Sequence, residues 1–331
     1  RIKKGEIELI IGTHALINEE ISFKNLSFAV IDEQHKFGVR QRALLTEKGT
    51  NPDILIMTAT PIPRTLVLSA FGDMDVSRLS EKPAGRKPIA TATMSIDRLP
   101  EILDRLRNAI EGGRKIYWIC PLVEESDLVE LMSVEKRFEW LKSHFGVQTG
   151  LIHGRMKSDE KDAAMLDFKS GKTRLLVATT VIEVGVDVPD ASIMVIEHAE
   201  HFGLSQLHQL RGRVGRGDEA SSCILLYKGP LGATAKARLS IMRQTEDGFR
   251  IAEEDLRLRG EGELLGTRQS GTPGFRLASL NVHADLLETA RNDARHIVHE
   301  DPSLSSERGF ALRMLLYIWR KDEAVRLLRA G

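Results

Sequence analysis

The apolar residues of this chain show two kinds of spacing that alternate along the sequence. Short continuous apolar runs predict buried strands, and they lie at 10–11, 28–31, 53–57, 115–120, 149–153 and 174–178. Apolar residues three and four positions apart predict helices, and the clearest such segments lie at 128–144, 233–244, 283–299, 310–319 and 323–328. Buried strands that alternate with helices are typical of a parallel sheet, so we expect an α/β fold.

One predicted strand ends in polar residues that suit nucleotide chemistry. The run at 28–31 leads directly into Asp32, Glu33, Gln34 and His35. A carboxylate pair at the end of a parallel strand is where α/β sheets bind Mg²⁺ and nucleotides. An acidic helix N-cap would explain Asp32 alone. It does not explain four polar residues in this order, so we favour a functional site.

A second polar segment, GLSQLHQLRGRVGRG at 203–217, is rich in arginine and glycine. Gln209, Arg213 and Arg216 are spaced by four and then three residues, which predicts that they share one face of a helix. An amide and two guanidinium groups on one face suit a polyphosphate. The alternative is a solvated basic helix, but the glycines at 212 and 215 would weaken such a helix for no structural gain.

The sequence SGKT at 170–173 imitates the end of a phosphate-binding P-loop. The first glycine that a P-loop requires would fall at position 166, which is Leu166. The segment also precedes a predicted strand, whereas a P-loop follows a strand and opens a helix. We therefore predict an ordinary turn between a helix and a strand.

Composition limits the remaining possibilities. The chain has 47 basic and 47 acidic residues, so nucleic-acid binding would require local basic patches. Candidate patches are Arg211, Arg213 and Arg216, or Arg257, Arg259 and Arg268. The two cysteines, Cys120 and Cys223, lie in apolar runs and are predicted to be buried thiols. No apolar run reaches the length of a membrane span, so we expect a cytoplasmic protein without a membrane partner.

Taken in order, these segments resemble the motifs of superfamily 2 helicases. GTHAL at 12–16 is similar to motif Ib, DEQH at 32–35 to motif II, and TATP at 58–61 to motif III. HGRM at 153–156 is similar to motif IV, TTVIEVGVDVP at 179–189 to motif V, and 203–217 to motif VI. By themselves, TATP and VGVDVP would be read as turns. Their fixed order makes the resemblance specific, and it implies two RecA-like parallel-sheet lobes that use ATP and Mg²⁺.

The resemblance also implies a role for each candidate residue. Asp32 would hold Mg²⁺ through water, Glu33 would polarise the attacking water, and Arg213 and Arg216 would reach the γ-phosphate from the second lobe. Residues implied to contact the nucleotide are Gln209, Gly185 and Asp187. Residues implied to couple hydrolysis to movement are His35, Thr58 and Thr60. Residues implied to contact DNA are Thr13, Gly154, Arg155, Thr179 and Thr180.

The segment after motif VI narrows the family. IAEEDLRLRG at 251–260 and LLGTRQSG at 264–271 resemble the translocation hairpin of the RecG family, and the likeness runs from about Ile10 to Leu280. It implies that Arg259, Arg268 and Gln269 couple ATP hydrolysis to duplex movement. The alternative is a solvated hairpin whose charges serve solubility. The implied substrates are replication forks and four-way junctions, with a single-stranded-DNA-binding protein as a further partner, in the bacterial cytoplasm at the nucleoid.

We expect three parts in the chain. Residues 1–82 would be the back half of the first lobe, 83–230 the second lobe, and 231–331 the translocation hairpin, its loop and C-terminal helices that pack on the second lobe. The chain would be a C-terminal piece without the P-loop and the DNA-reading wedge domain, and it would not hydrolyse ATP alone. Two alternatives remain: a translocase of the transcription-repair coupling type (Mfd-like), and a degenerate module that binds DNA or protein without catalysis.

Overall fold

The computed structural model describes residues 1–18, 20–33, 45, 48–50, 52–59, 75–79, 81, 85–121, 127–180, 188–217, 219–259 and 280–319. The chain divides into two compact units, Arg1–Pro61 and Ile62–Gly331. The predicted boundary between residues 82 and 83 falls outside the described residues and stays a prediction. In the part of the chain that is described, no helix is both long enough and apolar enough to cross a membrane.

The first unit contains a two-stranded parallel sheet of β1 (Phe28–Ile31) and β2 (Asp53–Ile56). Its small core includes Ile17, Ile31 and Leu45. The strand predicted at 10–11 is wrong, because these residues are irregular and Ile11 is 90% exposed. A single 3₁₀ turn, His14–Ile17, follows them.

The second unit is built on a parallel six-stranded sheet, which confirms the predicted α/β class. Its strands are β3 (Ile89–Ser95), β4 (Lys115–Ile119), β5 (Thr149–Ile152), β6 (Leu175–Ala178), β7 (Ala191–Ile196) and β8 (Ser221–Tyr227). Their order across the sheet is β3-β8-β7-β4-β6-β5, so β3 and β5 are the edge strands.

Eight α-helices are described in the second unit. They are α1 (Leu99–Glu111), α2 (Asp127–Phe145), α3 (Ser158–Ser170), α4 (Leu204–Arg211), α5 (Ala233–Gln244), α6 (Gly248–Arg259), α7 (Leu280–Glu300, with a break at His283) and α8 (Glu307–Ile318). The helix predicted at 233–244 matches α5, whereas the helix predicted at 323–328 lies outside the described residues.

The central strands carry apolar side chains on both faces, as buried parallel strands do. In β4, Ile116 and Trp118 face the core beneath α1 and α2, while Tyr117 and Ile119 face the core beneath α3, α4, α5 and α6. Two layers of helices therefore enclose the sheet. The packing of α5 and α6 into the same core as α4 places the predicted hairpin directly against the arginine segment.

The structure tests three further predictions made from the sequence, which concern the SGKT segment, the two cysteines and the apolar stripe of α7. The SGKT segment is a turn, as predicted, because Gly171 ends α3 with φ +81° and β6 follows. Cys120 and Cys223 are free and buried, as predicted. The prediction that the apolar stripe of α7 is core is wrong for most of the stripe, since Leu286 is 56% and Val298 is 49% exposed.

Candidate functional site

Helix α4 carries the first part of the arginine segment, and its ends are set locally. Its first turn is closed by Gln206, whose Oε1 accepts the Gly203 N–H at 3.3 Å. Leu204, Leu207 and Leu210 are fully buried on the face that packs on the sheet. Gly212 ends the helix. Gln209 is half-buried in the last turn.

The prediction that Gln209, Arg213 and Arg216 share one helical face is therefore wrong. The helix stops at Arg211, and both later arginines lie in the loop that follows it. Gly215 has φ +75°, a left-handed conformation that glycine adopts without strain and that a continuing helix cannot contain. The sequence spacing is right for a helix, but the glycines convert this segment into a turn.

The loop at 212–217 is held tightly against the sheet. Val214 is completely buried and anchors the loop in the core. A Cβ on Gly215 would lie 3.0 Å from Cγ1 of Ile89, the first residue of β3, and 3.5 Å from Cβ of Ser221, the first residue of β8. The loop thus covers the amino-terminal ends of β3 and β8. It presents Arg213, which is half-buried, and Arg216, which is exposed, on either side of Val214.

A third arginine, which the sequence reasoning did not single out, supports this loop. Arg86 donates from Nη2 to the Gly212 carbonyl at 3.2 Å and from Nε to the Gly215 carbonyl at 3.3 Å. Arg216 Nε also donates to the Gly212 carbonyl, at 3.3 Å. In the sequence, Arg86 is distinguished only as a cation within the proline- and glycine-containing segment at 81–88, which precedes β3. Two guanidinium groups on the loop, with Arg86 beneath it, form a surface suited to an anion such as a polyphosphate.

Arg211 does not belong to an exposed basic patch, which corrects that expectation. It is 2% exposed, and burial lowers the pKa of its guanidinium. Its Nη1 donates to the carbonyls of Met242 at 2.7 Å and Thr245 at 2.9 Å. A signal was present in the sequence, because Arg211 follows Leu204 by seven and Leu207 by four residues and so continues the buried stripe of α4.

The residues predicted to contact DNA in the second unit gather at the opposite edge of the sheet. Strands β5 and β6 are paired, with Ile152 beside Ala178. Gly154 and Arg155 follow β5, while Thr179 and Thr180 follow β6, so both pairs leave the same carboxyl-terminal edge. Gly154 and Arg155 are exposed and Thr180 is half-buried. Thr179 is 1% exposed, so Thr180 has the more accessible hydroxyl of the two. The DNA contact of each of these four residues stays a prediction.

In the first unit, Asp32 and Glu33 follow β1 directly. Asp32 is exposed, and its Oδ1 accepts the Glu33 N–H at 2.8 Å. Glu33 has φ +56°, a conformation that a residue with a side chain rarely adopts and that is frequent at functional sites. Carboxylate oxygens at the end of a parallel strand are the donors that Mg²⁺ prefers, so this pair fits the metal predicted from the sequence.

The other predicted positions divide into two groups. Thr13 is exposed, and its Oγ1 accepts the Ala15 N–H at 3.5 Å as the cap of the turn; Thr58 is half-buried beyond β2. Arg259 is the last residue of α6, and its side chain is outside the description. The residues that lie outside the described part of the chain are His35, Thr60, Gly185, Asp187, Arg268 and Gln269.

A turn of potential metal ligands precedes α4. His198, Glu200 and His201 offer ligand atoms within 4.8 Å of one another. Glu200 Oε1 already contacts His198 Nδ1 at 3.0 Å and accepts the Lys228 N–H at 3.2 Å. These hydrogen bonds stabilise the turn, so we assign it a structural role.

Comparison with known proteins agrees with this arrangement. Residues 95–218 match the helicase conserved C-terminal domain, and residues 245–325 match the domain described as ATP-dependent DNA helicase RecG, domain 3, C-terminal. The ATP-dependent DNA helicase RecG of Acidithiobacillus ferridurans is 53% identical over 299 residues, which is 90% of this chain and 44% of that protein. The protein of the same name from Escherichia coli (strain K12) is 52% identical over 305 residues, again 90% of this chain and 44% of that protein.

A solved structure shows the same likeness. RecG bound to a three-way DNA junction is 44% identical to this chain, with a TM-score of 0.64, over 87% of this chain and 37% of that one. The chain therefore spans less than half the length of these relatives.

Proposed function

Since the chain belongs to the RecG family of superfamily 2 DNA helicases, we propose that it forms part of the motor of an ATP-dependent translocase. The intact protein would remodel stalled replication forks and Holliday junctions during recombination and repair. The relatives carry the name ATP-dependent DNA helicase, and one was solved on a three-way DNA junction. The observation in this chain that carries the proposal is the anchored loop at 212–217, which presents Arg213 and Arg216 from a rigid support.

We assign the phosphate chemistry to charged groups from three segments. Arg213 and Arg216 would stabilise the negative charge that develops on the γ-phosphate, and Arg86 would keep their loop in place. Asp32 would hold Mg²⁺ through water, and Glu33 would orient and polarise the attacking water. When bound, the metal would neutralise charge on the phosphate oxygens. Gln209, Gly185 and Asp187 remain proposed nucleotide contacts.

We assign DNA contacts to the carboxyl-terminal edge of the six-stranded sheet. Loops at this edge of a parallel sheet are where α/β proteins bind ligands. The backbone at Gly154 and the hydroxyl of Thr180 could donate to phosphate oxygens, and Arg155 adds a cation. Thr13 in the first unit is a further proposed contact. Donors of this kind read the sugar–phosphate backbone without reading sequence, as a translocase requires.

The wider setting of the protein is also proposed. We expect it to act in the bacterial cytoplasm, at the nucleoid, because its relatives are bacterial proteins. A single-stranded-DNA-binding protein is a further proposed partner at stalled forks.

The test uses the intact protein with Arg213→Ala. ATP turnover on forked DNA should fall by about a thousandfold or more, because the charge on the γ-phosphate would lose its partner, while nucleotide binding persists. Arg107→Ala is the matched control, since Arg107 is an exposed arginine of α1 that pairs with Asp104. Wild-type turnover in Arg213→Ala would refute the assignment.

The intact wild-type protein also distinguishes the proposed motor from the two alternatives, a transcription-repair coupling translocase and a non-catalytic binding module. A motor of the transcription-repair coupling type would displace stalled RNA polymerase and would not reverse forks. A degenerate binding module would bind DNA without DNA-stimulated turnover in the wild type. We favour the fork-remodelling motor because residues 245–325 match the domain described as ATP-dependent DNA helicase RecG, domain 3, C-terminal.

A further inference from the structure

The α5–α6 hairpin is attached to the end of α4 by a buried arginine. Arg211 closes α4, while Met242 and Thr245 end α5 and begin the turn to α6. Nη1 of Arg211 donates to the Met242 carbonyl at 2.7 Å and to the Thr245 carbonyl at 2.9 Å. The side chain also contacts Thr91 Oγ1 at 3.4 Å and His208 Nδ1 at 3.1 Å. One guanidinium therefore joins α4, the edge strand β3 and the hairpin where α5 ends and the turn to α6 begins.

These contacts suit the chemistry of an arginine at this position. Carbonyl groups at the last turn of a helix have no partner within the helix, and this end of the helix is partly negative. Arg211 supplies both the hydrogen bonds and the positive charge that the end of α5 needs. A planar guanidinium can serve acceptors on several sides at once, whereas a lysine ammonium is a single compact charge.

Further side-chain bonds hold the same hairpin, among them those from Arg238 of α5 to the carbonyls of Phe202 at 2.7 Å and Glu200 at 3.4 Å. Glu246, in its turn, accepts the Ile89 N–H from β3 at 2.6 Å. Asp255, which is 4% exposed in α6, accepts the hydroxyl of Ser205 in the first turn of α4 at 3.2 Å. The apolar side chains between α4 and the hairpin form part of one buried core. The hairpin is therefore fixed to both ends of α4, and α4 leads directly into the loop at 212–217.

We propose that Arg211 is a positioning residue that makes the hairpin and the loop at 212–217 move as one rigid body. This inference rests on the proposed function. Arg213 follows Arg211 by two residues, so a displacement of Arg213 and Arg216 during the ATP cycle would carry the hairpin with it. Arg211 contacts neither nucleotide nor DNA in this scheme. It transmits movement because its bonds, together with those of Glu246 and Asp255 and the shared apolar core, leave the hairpin no independent position.

The first test measures coupling in the intact protein. Arg211→Met preserves length and apolar contacts but removes the bonds to the two carbonyls. We expect DNA-stimulated ATP turnover to stay within about threefold of wild type, while fork reversal per ATP hydrolysed falls at least tenfold. Arg243→Met is the matched control, because Arg243 is exposed on the same helix α5. A proportional loss of both activities, or no loss of either, would overturn the proposal.

A second pair of variants keeps the test decisive if Arg211→Met does not fold. Glu246→Ala removes the acceptor for the Ile89 N–H, whereas Glu246→Gln retains an oxygen at that place. We expect Glu246→Ala to lower fork reversal per ATP and Glu246→Gln to restore most of it. If the two variants lower fork reversal per ATP equally, the bond between Glu246 and the Ile89 N–H does not hold the hairpin in place.

A third measurement does not depend on the proposed function. Hydrogen exchange of the turn at 245–249 should be at least tenfold faster in Arg211→Met, and in Glu246→Ala if the first variant does not fold, while exchange in β4 stays unchanged. If the wild type shows no DNA-stimulated turnover, the proposed function fails, and exchange still decides whether Arg211 fixes the hairpin. Unchanged exchange in the folded variant would refute the structural part of the proposal.

Discussion

Substitution of Gly215 by alanine tests how tightly the arginine-bearing loop is held. The change adds one methyl group at a position with φ +75°, only 3.0 Å from Ile89 Cγ1. A left-handed backbone conformation costs a residue with a side chain about 1 to 2 kcal/mol, and overpacking of a core costs a further 1 to 3 kcal/mol, roughly. We expect the free energy of unfolding to fall by about 2 to 5 kcal/mol from these two terms.

Gly146 provides the control that separates the two costs. It also has a positive φ, +63°, but a Cβ there would meet nothing within 4 Å. Gly146→Ala should therefore lose only about 1 to 2 kcal/mol, the backbone cost alone. The difference between the two variants measures the close approach of the loop to β3.

Urea unfolding followed by tryptophan fluorescence is the appropriate assay. All three tryptophans, Trp118, Trp140 and Trp319, belong to the second unit, so the signal reports the unit that contains both glycines. If Gly215→Ala is no more destabilising than Gly146→Ala, the loop is not packed against Ile89 and the rigid support inferred for Arg213 and Arg216 is wrong.

Three other outcomes follow from the same structure and sequence. The 331 residues alone should show negligible ATP turnover with or without forked DNA, because they contain no GxxxxGK[ST] sequence to cradle the phosphates; clear Mg²⁺-dependent turnover in a phosphate-release assay would contradict this. Gln269→Ala in the intact protein should retain DNA-stimulated ATPase but lose fork reversal, and a thermal melt should exclude a folding defect. Burial raises the pKa of the Cys223 thiol to about 12 and that of Cys120 still further, so neither should react with a maleimide at pH 8 until urea unfolds the chain.

The sequence by itself determined many of the local elements, but not all of them. The strands predicted at 28–31, 115–120 and 174–178 match the structure to within one residue at each end. The apolar runs of β4 and β6 were recognisable because these strands are buried on both faces of the sheet. The edge strand β3, with the sequence IATATMS, was not predicted, since its small and polar residues do not form a continuous apolar run. Strands β7 and β8 were not among the predicted strands either.

The tertiary structure decided which residues meet and which are buried. Strand order brings the segments after β5 and β6 together at the carboxyl-terminal edge of the sheet, and it places the loop at 212–217 at the amino-terminal edge. No local sequence pattern shows which segments meet at which edge. Arg211 shows the physical reason most directly. Within its own helix it is one more cation in a basic segment. It becomes a buried anchor only because the carbonyls of Met242 and Thr245, some thirty residues later, are placed where a charged donor can satisfy them.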